Sequence, residues 1–527
     1  MTISSSALID VSLIDAAIFD LDGVVTKTAR VHAAAWKNLF DQYLQKRAVQ
    51  QGEPFQAFDI VEDYRKYVDG KLRYDGVQSF LESRGITLLH GEPSDTLNQE
   101  TVCGLGNRKN AMFLEVLHAH GVELFPSPLA LIQELKDRKK KTAIVSASEN
   151  CQEILDAAGV ADLFDAKVDG RDAKAYHLSG KPQPDTFVKA AELLGVLPAR
   201  AVVFEDAIAG VEAGHAGHFG MVIGIDRAGE RMALRKHGSD LVVSDLVELG
   251  LRDEEGMVRR STQALPSALD TSSELFQHLH GKRLVVFLDY DGTLTPIVDR
   301  PELAVLSNDM REVLRELSLR CPVAIISGRD RLAVKQFVNL DALVYAGSHG
   351  FDIAGPKGLE IHHEVGIQFG PTLDQAETEL REKLAWVSGA IIERKKFSVA
   401  VHYRLVIPEE IPQIIKVVDS TLASHPDLRK TEGKKVFDLR PQIEWDKGKA
   451  ILWLIEALDL NEQDVLPLYI GDDLTDEDAF RALADSGVGI IVEQGFRFTS
   501  AHYRLNDPFE VKALIHQLLQ ALETLPT

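Results

Sequence analysis

Cysteine, excess positive charge and long apolar runs are all scarce in this sequence of 527 residues. The three cysteines lie far apart and show no metal-ligand spacing, so a reducing, cytoplasmic setting is expected. The formal net charge of −22 argues against nucleic acid or an anionic membrane surface as a partner. An anionic substrate must therefore be held by local cations or by a metal ion.

Segments for crossing a membrane or for export are also missing from the pattern. No apolar run approaches the roughly 20 residues needed to span a bilayer, and the N-terminal stretch lacks the basic start and apolar core of a signal peptide. Hydrophobic residues make up 45% of the chain and charged residues 26%, as in ordinary globular domains. This length corresponds to roughly three domains or two large ones.

A short acidic motif occurs twice. Residues 285–288 predict a buried strand, and Asp289 and Asp291 follow it directly. Asp20 and Asp22 follow a similar strand in the first half. Residues two apart in an extended chain point the same way, so each pair of carboxylates faces one pocket. Open α/β sheets place their chemistry at the carboxyl ends of strands, so the chain is predicted to carry two such sites.

Further polar residues follow each acidic motif in the same order. In the first half we expect four parallel strands that end, in turn, in the acidic motif, Ser146, Lys181 and Glu205-Asp206. In the second half the corresponding residues are Ser327, Lys447 at the start of a helix, and Asp472. Any one of these residues alone is more often a helix cap or a solvated side chain. Together, the carboxylates form an oxygen site suited to Mg²⁺, the lysine and serine can hold phosphate oxygens, and one aspartate can attack phosphorus.

The two halves differ in where an insertion lies. From the acidic motif to the serine the chain runs 126 residues in the first half and 38 in the second, and from the serine to the lysine 35 and 120. Inserts of this size are too long for loops and should fold as small domains. We therefore predict lids over the two sites, at about 30–115 and about 350–440, which carry specificity and exclude water.

The second lid has readable periodicity. Residues 397–405 alternate between apolar and polar side chains and predict a half-buried strand, and 434–441 predict another. Helical stretches near 372–387 and 409–423 complete a small α/β layer.

The first half resembles a known superfamily. The motifs FDLDGV, VSAS, GKPxPD and FEDAxAG are similar to those of the haloacid-dehalogenase superfamily, and residues 15–250 resemble its β-phosphoglucomutase branch. The resemblance implies Asp20 as nucleophile, Asp22 as general acid and base, and Mg²⁺ bound by Asp20, Asp22, Glu205 and Asp206. It also implies Ser146 and Lys181 on the transferred phosphoryl group. In the lid, the positions that would reach the distal phosphate and sugar are Arg73, Arg108, Lys109 and Asn110. Lys27 departs from that branch, which often has an acidic residue there.

The second half resembles the trehalose-6-phosphate phosphatases over about 275–520. The motifs are LDYDGTLTPI, ISGR, YAGSHGFDI, IERKKFSVAVHYR, GKKVFDLRP and GDDLTDEDAF. The resemblance implies Asp289 as nucleophile, Asp291 as general acid and base, and Mg²⁺ on Asp289, Asp291 through its backbone carbonyl, and Asp472, supported by Asp473 and Asp476. Phosphate would be held by Ser327, Arg329 and Lys447. The sugar hydroxyls would be bound by Glu393, Lys395, Arg404, Lys434 and Asp438, the last standing where that family usually has glutamate.

The sequence thus predicts an α/β chain with two Rossmann-like haloacid-dehalogenase cores, the first with a helical lid and the second with an α/β lid. The expected domains are 1–250 and 274–527, joined by a polar linker at 251–273. The second half is expected to hydrolyse trehalose 6-phosphate and the first to act as a mutase on β-glucose 1-phosphate. Two alternatives stay open for the first half: a general sugar phosphatase, or a regulatory or assembly module without catalysis.

Overall fold

A computed structural model of the chain describes residues 7–272, 274–279, 281–356, 362–364, 366–433, 435–460 and 464–524. The chain divides into two compact units, and each is described by itself. The first unit comprises residues 2–261 with 496–498, and the second comprises 262–495 with 499–527. Among the described helices, none combines the length and apolar character that a bilayer crossing requires.

The core of the first unit is a parallel sheet buried on both faces. Its strands, from edge to edge, are Ala166–Val168, Lys141–Val145, Ala16–Asp20, Ala201–Glu205, Met221–Ile225 and Leu241–Val243. The central strands are almost continuously buried, as expected where helices cover both faces of a parallel sheet. The covering helices are Pro126–Asp137, Cys151–Ala158, Gly170–Ala175, Asp185–Leu194, Ile208–Ala216 and Arg231–Lys236.

The lid of the first unit is helical, as predicted. Its elements are the helices Ala29–Gln51, Arg73–Ser83 and Val102–His120 and a π-helical turn, Tyr64–Val68. A separate aromatic cluster holds them together, in which the ring centroids of Phe40 and Phe80 lie 4.1 Å apart. The lid therefore has its own hydrophobic core.

The core of the second unit repeats this plan. The strands, in order across the sheet, are His362–Glu364, Asp352–Ala354, Val344–Gly347, Val323–Ile326, Arg283–Leu288, Val465–Gly471, Val488–Val492 and Tyr503–Leu505. All pairs are parallel except the two that involve Asp352–Ala354. The helices are Glu274–His278, Asn308–Ser318, Arg331–Val338, Lys447–Ala457, Glu477–Ala482 and Pro508–Thr524.

The lid of the second unit is a four-stranded antiparallel sheet with two helices. The strands, in sheet order, are Ile391–Lys395, Ser398–His402, Val436–Pro441 and Leu428–Gly433, and the helices are Gly370–Leu384 and Ile411–Ser424. Val399 and Val401 pack into the lid core. His402, on the opposite face, lines a cavity. The alternation along the sequence therefore gave the correct faces.

Two local expectations differ from the structure. The segment 251–273 is not a plain linker, because Val258–Ser261 pairs antiparallel with Gly250–Arg252, which pairs in turn with Leu8–Asp10. Lys181 does not end a strand. The strand before it, Ala166–Val168, stops where Asp169 caps a helix, and the lysine lies in the loop that follows.

Candidate active sites

In the second unit, a buried lysine joins two carboxylates at the end of the central strand. The ammonium group of Lys447 donates to Asp289 Oδ1 at 2.8 Å and to Asp476 Oδ1 at 2.5 Å. The side-chain Oδ2 of Asp476 also accepts hydrogen bonds from the backbone amides of Asp472 and Asp473, each at 2.8 Å. Although burial opposes it, the two carboxylates raise the pKa of Lys447, so this side chain is a fixed positive charge.

Asp289, Asp472 and Asp476 form a carboxylate cluster with oxygen atoms within 4.8 Å of one another. Burial raises the pKa of Asp289 well above its ordinary value, against the effect of Lys447 and with that of the other two acids. The facing backbone leaves no room for a side chain: a Cβ at Gly292, which has φ +84, would lie 2.1 Å from an Asp472 oxygen. The three carboxylates carry three negative charges and Lys447 supplies one positive charge, so a hard divalent cation such as Mg²⁺ would balance the remaining two.

The second aspartate of the motif is paired with arginine. Arg329 donates from Nε and from Nη2 to the two oxygens of Asp291, at 2.7 Å each. The backbone amide of Arg329 donates to Ser327 Oγ at 3.1 Å, so serine and arginine belong to one tight loop. Arg329 was predicted to hold phosphate, and here its guanidinium holds Asp291.

A cavity of about 200 Å³ lies between this core and its lid. Four of the five lid residues predicted to bind sugar line it: Glu393, Lys395, Arg404 and Asp438. Lys434 lies outside the described residues. The lid is closed on the core, since the backbone amide of Lys396 donates to Asp330 at 2.9 Å and the rings of Phe351 and Phe397 are 6.0 Å apart.

The first unit contains the same lysine bridge. Lys181 contacts the carboxylate of Asp20 and donates to Glu205 Oε2 at 2.6 Å. Asp20, Glu205 and Asp206 place oxygens within 4.8 Å of one another. Burial and the nearby acids raise the pKa of Asp206 well above its usual range. A Cβ at Gly23, with φ +87, would lie 1.8 Å from an Asp206 oxygen, so this backbone also fits closely against the carboxylate.

Asp22 is held by groups other than arginine. Its carboxylate accepts from Thr28 and, at 3.4 Å, from Ser146 Oγ. His32 Nε2 lies 3.4 Å from Asp22 Oδ1, and Lys109 lies 2.5 Å from the other nitrogen of His32. Although burial opposes the shift, His32 and Thr28 lower the pKa of Asp22 to about 2.

The predicted lid contacts of the first unit divide into two groups. Arg73 and Lys109, with the neighbouring Asn110, line a cavity of about 60 Å³, where Arg73 donates to Glu149 at 2.5 Å. Arg108 lies elsewhere: its Nε donates to the backbone carbonyl of Leu97 at 2.7 Å, and it is not among the described residues that line this cavity.

Several lining residues were not predicted. In the first unit, Asp69 comes from the lid and lines the cavity. Burial and the charge of Glu205 raise its pKa to about 7. In the second unit, His349 and Arg440 line the cavity. Both stand inside motifs quoted above, so a signal was present, whereas nothing in the polar lid sequence around Asp69 points to a site.

Comparison with known proteins follows the division into two units. A trehalose-phosphatase family model matches residues 287–509, and a haloacid dehalogenase-like hydrolase model matches residues 14–218. An uncharacterized glycosyl hydrolase of Mycobacterium tuberculosis is 40% identical over 510 residues, which cover 96% of this chain and 38% of that protein. The chain thus spans just over a third of the length of that relative.

Shorter relatives and solved structures are similar to parts of the chain. A trehalose-phosphate phosphatase of Mycobacterium tuberculosis is 40% identical over 346 residues, 65% of this chain and 87% of that protein. The trehalose-6-phosphate phosphatase C-terminal domain of Candida albicans is 25% identical, covering 49% of this chain and 98% of that one, with a TM-score of 0.42. A β-phosphoglucomutase from Clostridium difficile is 26% identical, covering 44% and 92%, with a TM-score of 0.36. The chain belongs to the trehalose-phosphate phosphatase family, with a haloacid dehalogenase-like domain in its first half.

Proposed function

We propose that the second unit hydrolyses trehalose 6-phosphate to trehalose and phosphate through an aspartyl phosphate on Asp289, with Mg²⁺ as cofactor. The observation that carries this proposal is the closed cavity between the Asp289–Lys447 pair and a lid that presents Glu393, Lys395 and Asp438. The Asp289–Lys447 pair on the core side of the cavity suits phosphoryl transfer, and the polar residues on the lid side suit a ligand rich in hydroxyl groups. Membership of the family supports the choice of sugar.

The first step is an in-line displacement. Asp289 attacks phosphorus, and the bond between phosphorus and the sugar oxygen breaks. Lys447 holds Asp289 Oδ1 and stabilises the negative charge that gathers on the phosphoryl oxygens. When the incoming phosphate draws the guanidinium of Arg329 away, Asp291 takes up a proton from solvent and passes it to the leaving oxygen.

In the second step, water replaces the enzyme at phosphorus. Asp291, deprotonated by the first step, takes a proton from water as water attacks the aspartyl phosphate, which regenerates Asp289. A divalent cation held by Asp289 and Asp472 would offset part of the phosphoryl charge. The lid excludes bulk water during the first step.

A substrate panel tests the proposal on the full chain. Phosphate release is measured with trehalose 6-phosphate, sucrose 6-phosphate and glucose 6-phosphate. We expect kcat/KM for trehalose 6-phosphate to exceed the others by at least about tenfold, because the lid contacts are made only by the correct disaccharide. A flat panel would favour a broad sugar phosphatase instead.

We infer a second activity for the first unit: phosphoryl transfer on a hexose phosphate, as in a β-phosphoglucomutase. The supporting observation is its own lysine bridge to Asp20 beneath a separate lid. A mutase must return the phosphoryl group to sugar, whereas a phosphatase passes it to water. The D289N chain, in which the second site is silenced, separates the alternatives when it is given β-glucose 1-phosphate and a bisphosphate primer. Glucose 6-phosphate supports the mutase, free phosphate alone supports a phosphatase, and no turnover supports a regulatory module.

A further inference from the structure

The loop after strand Val344–Gly347 has an unusual backbone. Ser348, His349 and Gly350 follow one another with φ values of 49°, 58° and 92°. Residues other than glycine rarely adopt this left-handed backbone conformation. The backbone amide of His349 donates to the carbonyl of Ser327 at 2.8 Å, which ties the loop to the predicted phosphate loop, residues 327–329. The conformation therefore fixes the position of His349 beside the phosphate site.

The imidazole of His349 lies directly over Gly328. A Cβ at that glycine would lie 2.8 Å from both Cε1 and Nε2 of the ring. From there His349 Nε2 reaches to 3.4 Å from Asp438 Oδ2 on the lid. His349 belongs to the core and Asp438 to the lid, so the pair spans the cavity at its phosphate end.

Both side chains are buried, and the Asp438 carboxylate lies 3.8 Å from Lys395 Nζ and 3.4 Å from Arg440 Nε. Asp438 is 5% exposed and His349 is 9% exposed. Within the described part of the chain, His349 Nδ1 and both carboxylate oxygens of Asp438 have no hydrogen-bond partner. Buried polar atoms nearly always have one. Because both residues line the cavity, a polar group that enters it can supply the missing contacts.

The charges at this place define the chemistry of that group. Although burial opposes ionisation, Lys395 and His349 lower the pKa of Asp438, so it is a carboxylate and only accepts. Burial and the nearby Arg440 lower the pKa of His349 to about 3, so its imidazole is neutral, with one donor and one acceptor. A phosphate would be repelled by Asp438 and offers no proton. A hydroxyl group can donate to the carboxylate and accept from the imidazole at once.

We propose that His349 and Asp438 together bind one hydroxyl group of the sugar ring that carries the phosphate, which makes His349 a specificity-determining residue of the second unit. The proximal ring is the one within reach, because His349 lies against Gly328 in the phosphate loop. The inference rests on the proposed function, since it requires a sugar phosphate in this cavity.

The test compares two substrates on the full chain. Trehalose 6-phosphate carries the hydroxyl groups, and p-nitrophenyl phosphate presents the same phosphoryl group on an alcohol without them. With H349A we expect the loss of kcat/KM for trehalose 6-phosphate to exceed the loss for p-nitrophenyl phosphate by at least about tenfold. H349Q, which keeps a donor, should recover part of this selectivity. The double variant H349A/D438N should have a kcat/KM for trehalose 6-phosphate only slightly below that of the less active single variant, because both residues bind the same hydroxyl.

A second variant guards against misfolding. H349N suits the left-handed backbone at this position but carries no imidazole, and it should show the same selective loss with an unchanged circular dichroism spectrum. Equal losses on both substrates, or additive losses in the double variant, would overturn the role of His349. If the unmodified chain hydrolysed p-nitrophenyl phosphate but not trehalose 6-phosphate, the proposed function itself would fail, and this inference with it.

Discussion

The guanidinium of Arg329 donates two parallel hydrogen bonds of 2.7 Å to the carboxylate of Asp291. The guanidinium is fixed further by Phe337, whose ring centre lies 4.9 Å away. The proposed general acid is therefore occupied in this structure, and the group that occupies it is the one predicted to bind phosphate. Arrival of a phosphate would satisfy the guanidinium and release the carboxylate, so Arg329 couples substrate binding to the acid.

This coupling predicts the effect of R329K. A lysine offers a point charge and cannot hold a carboxylate or a phosphate with two parallel bonds. We expect kcat/KM for trehalose 6-phosphate to fall by about 100-fold, measured by phosphate release. R331K is the matched control, because Arg331 binds Asp352 at 2.9 Å and is not among the described residues that line the cavity. A loss in R331K as large as in R329K would contradict the coupling.

The covalent step predicts the effect of D289N. Asparagine has nearly the same shape but cannot act as the nucleophile, so trehalose 6-phosphate turnover should fall below detection while the thermal unfolding temperature stays close to that of the unmodified chain. The reciprocal variant D20N removes the nucleophile of the first unit. If turnover of trehalose 6-phosphate persisted in D289N and disappeared in D20N, the activity would belong to the first unit, and the proposal would be wrong.

The carboxylate clusters predict stabilisation by a divalent cation. A ligand that binds only the folded state at 100 times its Kd adds about 2.7 kcal/mol to the free energy of unfolding. We expect Mg²⁺ to raise the unfolding temperature in calorimetry, and D472N to abolish the increase for the transition of the second unit. D206N should do the same for the first. D478N is the control, since Asp478 pairs with Arg481 and lies outside the cluster. An unchanged response in D472N would exclude this cluster as the site.

Much of each core site could be predicted because the signals are local. Aspartates two apart after a strand, and acidic residues after another, meet wherever parallel strands end at one sheet edge, whatever else the chain does. The prediction that Lys181 ends a strand was wrong. The strand Ala166–Val168 is followed by Asp169, which caps the next helix. The lysine still reaches Asp20 because its side chain is long and its loop lies over the sheet edge.

The remaining features depend on packing between distant segments. Asp69 reaches the first site because the lid backbone at Gly70 approaches Ala207, where a Cβ would lie 3.3 Å from the alanine Cβ. Nothing in the polar lid sequence around Asp69 anticipates this contact. In the same way, the guanidinium of Arg329 can bind either the carboxylate of Asp291 or a phosphate. The sequence motif does not show which of the two anions it binds when no substrate is present.

The buried imidazole of His349 predicts how stability depends on pH. Burial and Arg440 lower its pKa from 6.5 to about 3 in the folded state. Between those values the unfolded chain binds a proton that the folded chain does not, so stability is fully present above pH 6.5 and falls as the pH falls towards 3. From pH 7 to pH 5 this residue should remove about 2 kcal/mol from the free energy of unfolding.

Urea unfolding at pH 7 and pH 5 measures this contribution. Glutamine does not titrate, so H349Q should lose about 2 kcal/mol less than the unmodified chain between the two pH values, even if it is less stable at pH 7. H516Q serves as the control, because His516 is exposed on the helix Pro508–Thr524 and its replacement leaves the imidazole of His349 in place. It should keep the pH dependence of the unmodified chain. If H349Q kept that dependence as well, His349 would be protonated in the folded protein at pH 5, and a charged imidazole beside Asp438 would replace the neutral one on which the binding of a hydroxyl group depends.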